Sequence, residues 1–301
     1  MSCGEINEDN ITIVSAGVAF FSMLAIFPMI TAVLSLYGFF ADPVIAQEQL
    51  LTITELLPHD VWVLINDQVQ AVTGKTNKAI GFKIFLGILA ALWAGGAGIR
   101  AMMRGLNIAY GEVDDRPLIR RWALAFLFTL GAVMMMFISL GVIIGVPYGL
   151  SVLKLEGLTA SLTRYLPWSL LIFAFSFACA VLYRYGPNRR PAKMRWIIPG
   201  VIFATLSWLL ISVGFSKFVA AFGTYNKTYG SLGAVMVLLV WLWLTNWVII
   251  FGAEINGEME RHTMQDTTRG PDRAIGERGA AMADYVASSI SMRDVDIDAQ
   301  I

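Results

Sequence analysis

Charge is what this chain of 301 residues has least of: Lys, Arg, Asp and Glu together make up 15% of it, against about 25% in an ordinary soluble domain. With 57% hydrophobic residues and a mean hydropathy of +0.65, that shortage excludes a soluble globule and implies an all-α polytopic membrane protein. The charges present cancel, 22 basic against 22 acidic, so no overall field draws the chain to nucleic acid. Cysteine is nearly absent. Cys3 stands near the N-terminus and Cys179 inside an apolar run, so neither a disulfide framework nor a thiolate metal site can be built. Histidine occurs only as His59 and His262, and the topology below puts them on opposite sides of a membrane. No G-x-S-x-G, H-E-x-x-H or P-loop is present. No catalytic residue, metal ligand or cofactor is therefore assigned, and the adjacent Asp114 and Asp115 read as solvated. The N-terminus MSCGEINEDN has no basic n-region, so the first apolar run is expected to remain as an anchor rather than be cleaved.

What is there is a series of long uncharged runs. Six spans are predicted, at about 11–41, 80–107, 122–146, 168–185, 196–215 and 232–251, making a transmembrane domain over 11–256. It is preceded by a cytoplasmic N-terminus (1–10) and followed by a polar cytoplasmic tail (257–301), partly helical. The first span is about 45 Å long as a straight helix, against roughly 30 Å of hydrocarbon, so it must tilt, kink or overshoot. Pro28 falls near its middle and is either a packed kink or a hinge whose freed carbonyl lines a pathway. Between the first two spans, residues 42–79 repeat Val61, Leu64, Ile65, Val69 and Val72 at helical spacing. They predict amphipathic helices on the membrane surface or over the bundle mouth.

The second span carries small residues four apart in two stripes, Gly87, Ala91 and Gly95, and Ala90, Ala94 and Gly98. Such stripes let helices approach closely where lipid removes the usual hydrophobic drive, which predicts a central position for this helix. Local unwinding around a substrate is the alternative. Basic residues sort the loops. Fifteen lie on the side of the 100–121 and 184–195 loops and the tail, and seven on the other, which puts both termini in the cytoplasm. Trp122, Trp168 and Trp196 at span ends suit the interfacial aromatic belt.

No Lys, Arg, His, Asp or Glu occupies the centre of any span, which disfavours a proton-driven pump. Asn246 is the midspan polar residue that stands out, and an interhelical hydrogen bond is its simplest use. Polarity gathers instead at the inner boundary. Arg100, Arg104 and Asn107 end the second span and Glu254 ends the sixth. They form either an ion-pair cluster or a site for an anionic headgroup, whose phosphate the guanidinium fork fits. Membrane lipids are the implied partners, with a second copy of the chain or an envelope protein as further candidates.

Five blocks resemble one family: AGVAFFSMLAIFPMI, GIRAMMRGLNIAYGEVDDRP, YRYGPNRRPAKMRWIIPGVIFATLSW, YNKTYGSLGAVMVLLVWLWLTNWVIIFGAEINGEME and DTTRGPDRAIGERGA. Together they are similar to the YihY/BrkB family of bacterial inner-membrane proteins over about residues 10–285. The resemblance implies six transmembrane helices in the inner membrane. Members have carried the label ribonuclease BN, whereas others resemble a factor linked to serum resistance or an exporter of lipid A precursors. No catalytic motif of the family carries over residue by residue. The function implied is a transporter of lipid or amphiphile in envelope biogenesis. A structural or partner-recruiting subunit is the alternative, and a membrane-associated ribonuclease a remote one.

Overall fold

The computed structural model describes residues 11–40, 77–152, 156–221 and 226–285. Among these residues six long helices run in order: α1 (Ile11–Phe40), α2 (Asn77–Ala109), α3 (Leu118–Val152), α4 (Glu156–Tyr185), α5 (Met194–Ala221) and α6 (Asn226–Arg261). A single turn, α7 (Ala281–Asp284), follows. No strand occurs among the described residues beyond an isolated bridge between Ala192 and Thr268. Each predicted span lies within, or within one residue of, one long helix. The helices outlast the apolar runs because backbone hydrogen bonding continues past the point where side chains become polar. α3 runs through residue 147 and α4 through Pro167, each just outside the apolar span predicted there. Within a bundle the carbonyl that a proline frees can be satisfied by neighbours, so proline does not end the helix. Four described segments are long and apolar enough to cross a membrane: Leu118–Met135, Tyr165–Tyr185, Met194–Val219 and Val235–Arg261. Ile11–Ala25 is a shorter apolar stretch.

Consecutive helices pack side by side from α1 to α6, and α6 returns to touch both α1 and α2. α2 thus meets three helices. Its small stripe divides its contacts: a Cβ on Gly95 would meet Thr129 of α3 at 3.0 Å, whereas one on Gly98 would meet Ser22 of α1 at 3.6 Å. Lower on the same helix, Gly105 faces Val14 and Ile250. Ala94 is buried, while the surroundings of Gly87, Ala90 and Ala91 lie outside the described residues. So do the side chain of Pro28 and nearly all of the amphipathic segment 42–79; α1 itself continues as helix past residue 28.

Among the described residues, the buried apolar side chains gather toward the end where α2, α4 and α6 finish. Ile11 and Val18 of α1, Leu106 and Ala109 of α2, Tyr183 of α4, Ile197 and Ala204 of α5, and Val248 and Ile250 of α6 form one buried cluster. α5 and α6 cross there at glycine. A Cβ on Gly200 would strike the carbonyl oxygen of Gly252 and the amide of Asn256. The carbonyl oxygen cannot yield without separating the backbones, and the side-chain amide can turn aside only by releasing the Gly200 N–H.

Candidate functional site at the polar end of the bundle

Above that apolar cluster the helix ends are tied by buried polar groups. α2 closes with Gly111 at φ 61°, Glu112 N–H donating to the Asn107 carbonyl (2.8 Å) and Gly111 N–H to that of Ile108 (2.9 Å). This glycine-terminated cap turns the chain sharply away from the helix axis. The turn leaves Tyr110 fully buried, with the Asn256 amide 3.3 Å from its hydroxyl and the Arg189 guanidinium 4.4 Å from its ring centre. Burial pushes the Tyr110 phenol well above its ordinary range, against the opposing pull of Arg189. It is a neutral hydrogen-bonding group at any physiological pH.

Arg189 donates to Glu260 at 2.6 Å, with side chains only 1% and 0% exposed. The other Glu260 oxygen accepts the Thr267 hydroxyl at 2.6 Å. A charge pair so deeply buried is costly to desolvate and tolerable only with such a partner set. On α6, Asn256 sits one turn before Glu260 and accepts the Gly200 N–H at 2.7 Å, pinning the α5–α6 crossing. The α4–α5 loop is fixed from the other side, where Asn188 N–H donates to the Asn107 side-chain oxygen at 2.7 Å. Buried Arg116 reaches the Gly186 carbonyl at 2.9 Å while pairing with Asp114.

Residues 262–285 fold over this end. Lys193 N–H donates to the Thr267 carbonyl, Arg269 N–H to that of Pro191, and Arg190 N–H to that of Gly279, all at 2.8 to 2.9 Å. Inside the fold, buried Arg278 donates to the carbonyls of Met264 (2.6 Å) and Ala283 (2.8 Å). Asp266 accepts from Thr268 N–H, the Thr268 hydroxyl and Arg273 N–H. Burial alone would raise its pKa, but those hydrogen bonds outweigh burial, so its carboxyl is held below the usual range. Glu112 accepts the Ala281 N–H at 2.8 Å; there burial dominates and its carboxyl is raised.

The residues singled out on sequence divide between two places. Asn107 belongs to the buried network. Arg100 turns toward α3, its guanidinium 3.9 Å from the centre of the Trp122 ring, and Arg104 is exposed one turn on. Glu254 lies on α6 close enough to Tyr110 to act on its phenol electrostatically. Asn246 is buried, and its amide donates to the Leu242 carbonyl one turn earlier on its own helix, at 2.8 Å. Asp114 and Asp115 bind the loops rather than water alone: Asp114 takes Arg116, and Asp115 takes the Asn188 amide. Among the described residues no cluster of His, Cys, Asp and Glu could hold a metal ion.

This end of the molecule, up to residue 276, falls within a match to the family described as Virulence factor BrkB, which covers residues 2–276. The chain belongs to that family. A relative in Bacillus subtilis (strain 168), the ribonuclease-like protein YfkH, is 30% identical over 252 residues, spanning 82% of this chain and 89% of its own. A UPF0761 membrane protein of Pseudoalteromonas translucida (strain TAC 125) is 26% identical over 270 residues, 86% of this chain and 85% of the relative. One from Vibrio parahaemolyticus serotype O3:K6 (strain RIMD 2210633) is 27% identical over 274 residues, 87% and 82%. No solved structure matches. The relatives identify an integral membrane protein, and the UPF0761 description names no activity.

In this BrkB-family chain, Tyr110, Arg189 and Glu260 are residues that sequence reasoning passed over, and Asn256 reads there only as one of the polar residues that end the sixth span. Arg189 was counted only as a loop charge, since nothing local to YGPNRRP says that one arginine of the pair is buried. Asn256 and Glu260 are four apart, hence on one helical face. That spacing was the available signal.

Proposed function

We propose that this protein is a six-span protein of the bacterial cytoplasmic membrane, both termini inside, that handles a lipid or amphiphile in envelope biogenesis. The excess of Lys and Arg on the loops of the polar end supports the orientation. The observation that carries the functional reading is where polarity has been placed. Ionisable side chains are absent from the middle of the spans and concentrated at one membrane boundary. That suits a substrate whose charged part stays at the surface while its apolar part enters the bilayer. It does not suit an ion carried through the centre.

Reconstitution into liposomes tests it. Fluorescent phospholipid analogues should cross the bilayer faster in proteoliposomes than in protein-free vesicles, or a lipid class should co-purify with the protein. Rates equal to protein-free vesicles together with no enriched lipid would sink the proposal.

A partner-recruiting role is the second reading. It is supported by the folded tail, which exposes Met264, Ile275 and Tyr285 on its outside. Cross-linking in cells with and without residues 263–301 separates the two: a partner lost with the tail, while lipid movement persists, favours recruitment.

A further inference from the structure

Arginines at a membrane boundary ordinarily extend freely into water, and Arg100 does not. Its guanidinium sits over the Trp122 ring, 3.9 Å from the ring centre. A Cβ on Gly96 would come within 3.1 Å of its Nη1, so the glycine leaves the room that the guanidinium fills. The head is held between an aromatic shelf on α3 and a bare stretch of α2. A guanidinium over an aromatic ring keeps N–H edges free for an acceptor.

Those edges have no acceptor. Among the described residues Arg100, Arg104 and Arg120 make no ion pair and donate to no protein oxygen. Arg116 and Arg121, in the same loop region, are both engaged by Asp114. The register brings two of these cations together. α2 and α3 are antiparallel neighbours joined by a short loop, and Arg100 is level with Trp122. One turn toward the polar end, about 6 Å on, Arg104 stands on the same face of α2, whereas Arg120, two residues from Trp122, belongs to another face of α3. Arg104 is exposed. The start of the 35-residue helix α3 adds the positive end of its dipole.

Beneath the arginines the same two faces become apolar and stay open. Trp122, Phe126 and Leu130 follow one another at four-residue spacing along α3, and Trp93 and Leu89 continue the α2 face below Arg100, all of them exposed. Two uncompensated guanidinium groups above two apolar stripes match a molecule with an anionic head and acyl chains.

We infer that Arg100 and Arg104, with Trp122 as shelf, bind the phosphate of one membrane lipid whose chain lies along α2 and α3. This rests on the lipid-handling reading and on the orientation proposed with it, and names the ligand class. The phosphate takes the N–H edge of Arg100 as a two-point contact, with Arg104 closing on it from the water side. Lysine would keep the charge and lose the fork.

The full chain in detergent is titrated with dioleoyl phosphatidylglycerol, with dioleoylglycerol as the same chains without phosphate, and with inorganic phosphate, and binding is read by native mass spectrometry. Phosphatidylglycerol should bind in preference to dioleoylglycerol, and inorganic phosphate should compete only weakly. Replacing Arg100 and Arg104 together by Gln should weaken phosphatidylglycerol binding by about tenfold or more. Arg100→Lys should give a smaller loss, and Arg269→Gln, on the exposed tail, none. Three results overturn the inference. One is undiminished binding in the double variant with wild-type helicity and melting temperature. Another is no preference for phosphatidylglycerol over dioleoylglycerol in the wild type. The third is inorganic phosphate competing as well as the lipid, which assigns the arginines to a soluble anion. Binding that follows the expected pattern without transbilayer movement in liposomes leaves the site standing and removes the transport reading alone.

Discussion

Glu260 and Arg189 show most directly how an individual side chain holds this molecule together. Both are almost fully removed from solvent, so neither can lose its partner cheaply. Glu260→Ala leaves a buried guanidinium facing an apolar gap and should cost about 3–5 kcal/mol of stability, whereas replacing both by similarly sized apolar residues should cost much less. Chemical unfolding of the three proteins in one detergent measures the difference; equal losses for the single and double variants would reject the pair as the cause. The two perturbed carboxylates nearby give opposite pH dependences. Asp266 is held below its ordinary value. Its contribution is therefore present above about pH 3.9, the unfolded value, and is lost as pH falls through its folded value. Glu112 is raised, by burial first, with Glu260 and Asp284 adding to it against the Ala281 N–H and Arg189. Its contribution is therefore complete below the ordinary carboxylate range and is lost as pH rises through the raised value. Glu112→Gln keeps an oxygen for the Ala281 N–H and removes the titration. Amide exchange around Ala281 should slow toward acid in the wild type, after correction for intrinsic rates, and lose that trend in the variant.

Helices pack here through glycine, and their crossing points make sharper predictions than their lengths do. Gly200→Ala inserts a methyl against the Gly252 carbonyl and the Asn256 amide, and it disturbs the Gly200–Asn256 hydrogen bond. The expected loss is about 1–3 kcal/mol from overpacking. Gly214→Ala, on the same helix with nothing within 4 Å of the new atom, should be neutral or stabilising by up to about 1 kcal/mol. Thermal unfolding of both variants checks this; a Gly200→Ala protein as stable as the wild type would mean the helices can part there at no cost. The helices themselves were readable in the sequence, because an uncharged run of twenty residues leaves the backbone few alternatives in lipid. Which face of α2 met which neighbour was not. The stripes of Gly95 and Gly98 announced close approach, but a stripe does not identify what approaches it. The polar network was harder still. Arg189 and Arg190 are adjacent and chemically identical, yet one is buried on Tyr110 and the other reaches the Thr268 hydroxyl. Only the fold of the tail, some 80 residues later, makes the distinction.

For the molecule as a whole, the consequence is a division of labour between a helical bundle and a cap that closes one end of it. The cap, residues 262–285, contributes no helix that crosses the bundle. It supplies carbonyls for the N–H groups of Arg190 and Lys193, takes up the Pro191 carbonyl, and gives Glu260 its second partner. Its own order comes from within, through Arg278 on four carbonyls and Asp284 on the N–H groups of Gly276, Arg278, Gly279 and Ala280. The apolar cluster lies beneath it on α1, α2, α4, α5 and α6, and includes Cys179 at 1% exposure. If bundle and cap are separate layers, removing the cap should loosen the loops it binds without opening the helices. Deleting residues 263–301 should therefore speed amide exchange at Arg190 and Lys193 by orders of magnitude, since their acceptors are gone. In a Cys3→Ser background, Cys179 should stay as resistant to maleimide in the folded, truncated protein as in the full chain. Exposure of Cys179 on the same timescale as the loops would show that the cap and the bundle unfold as one unit. The helix ends would then depend on the tail for their packing as well as for their hydrogen bonds.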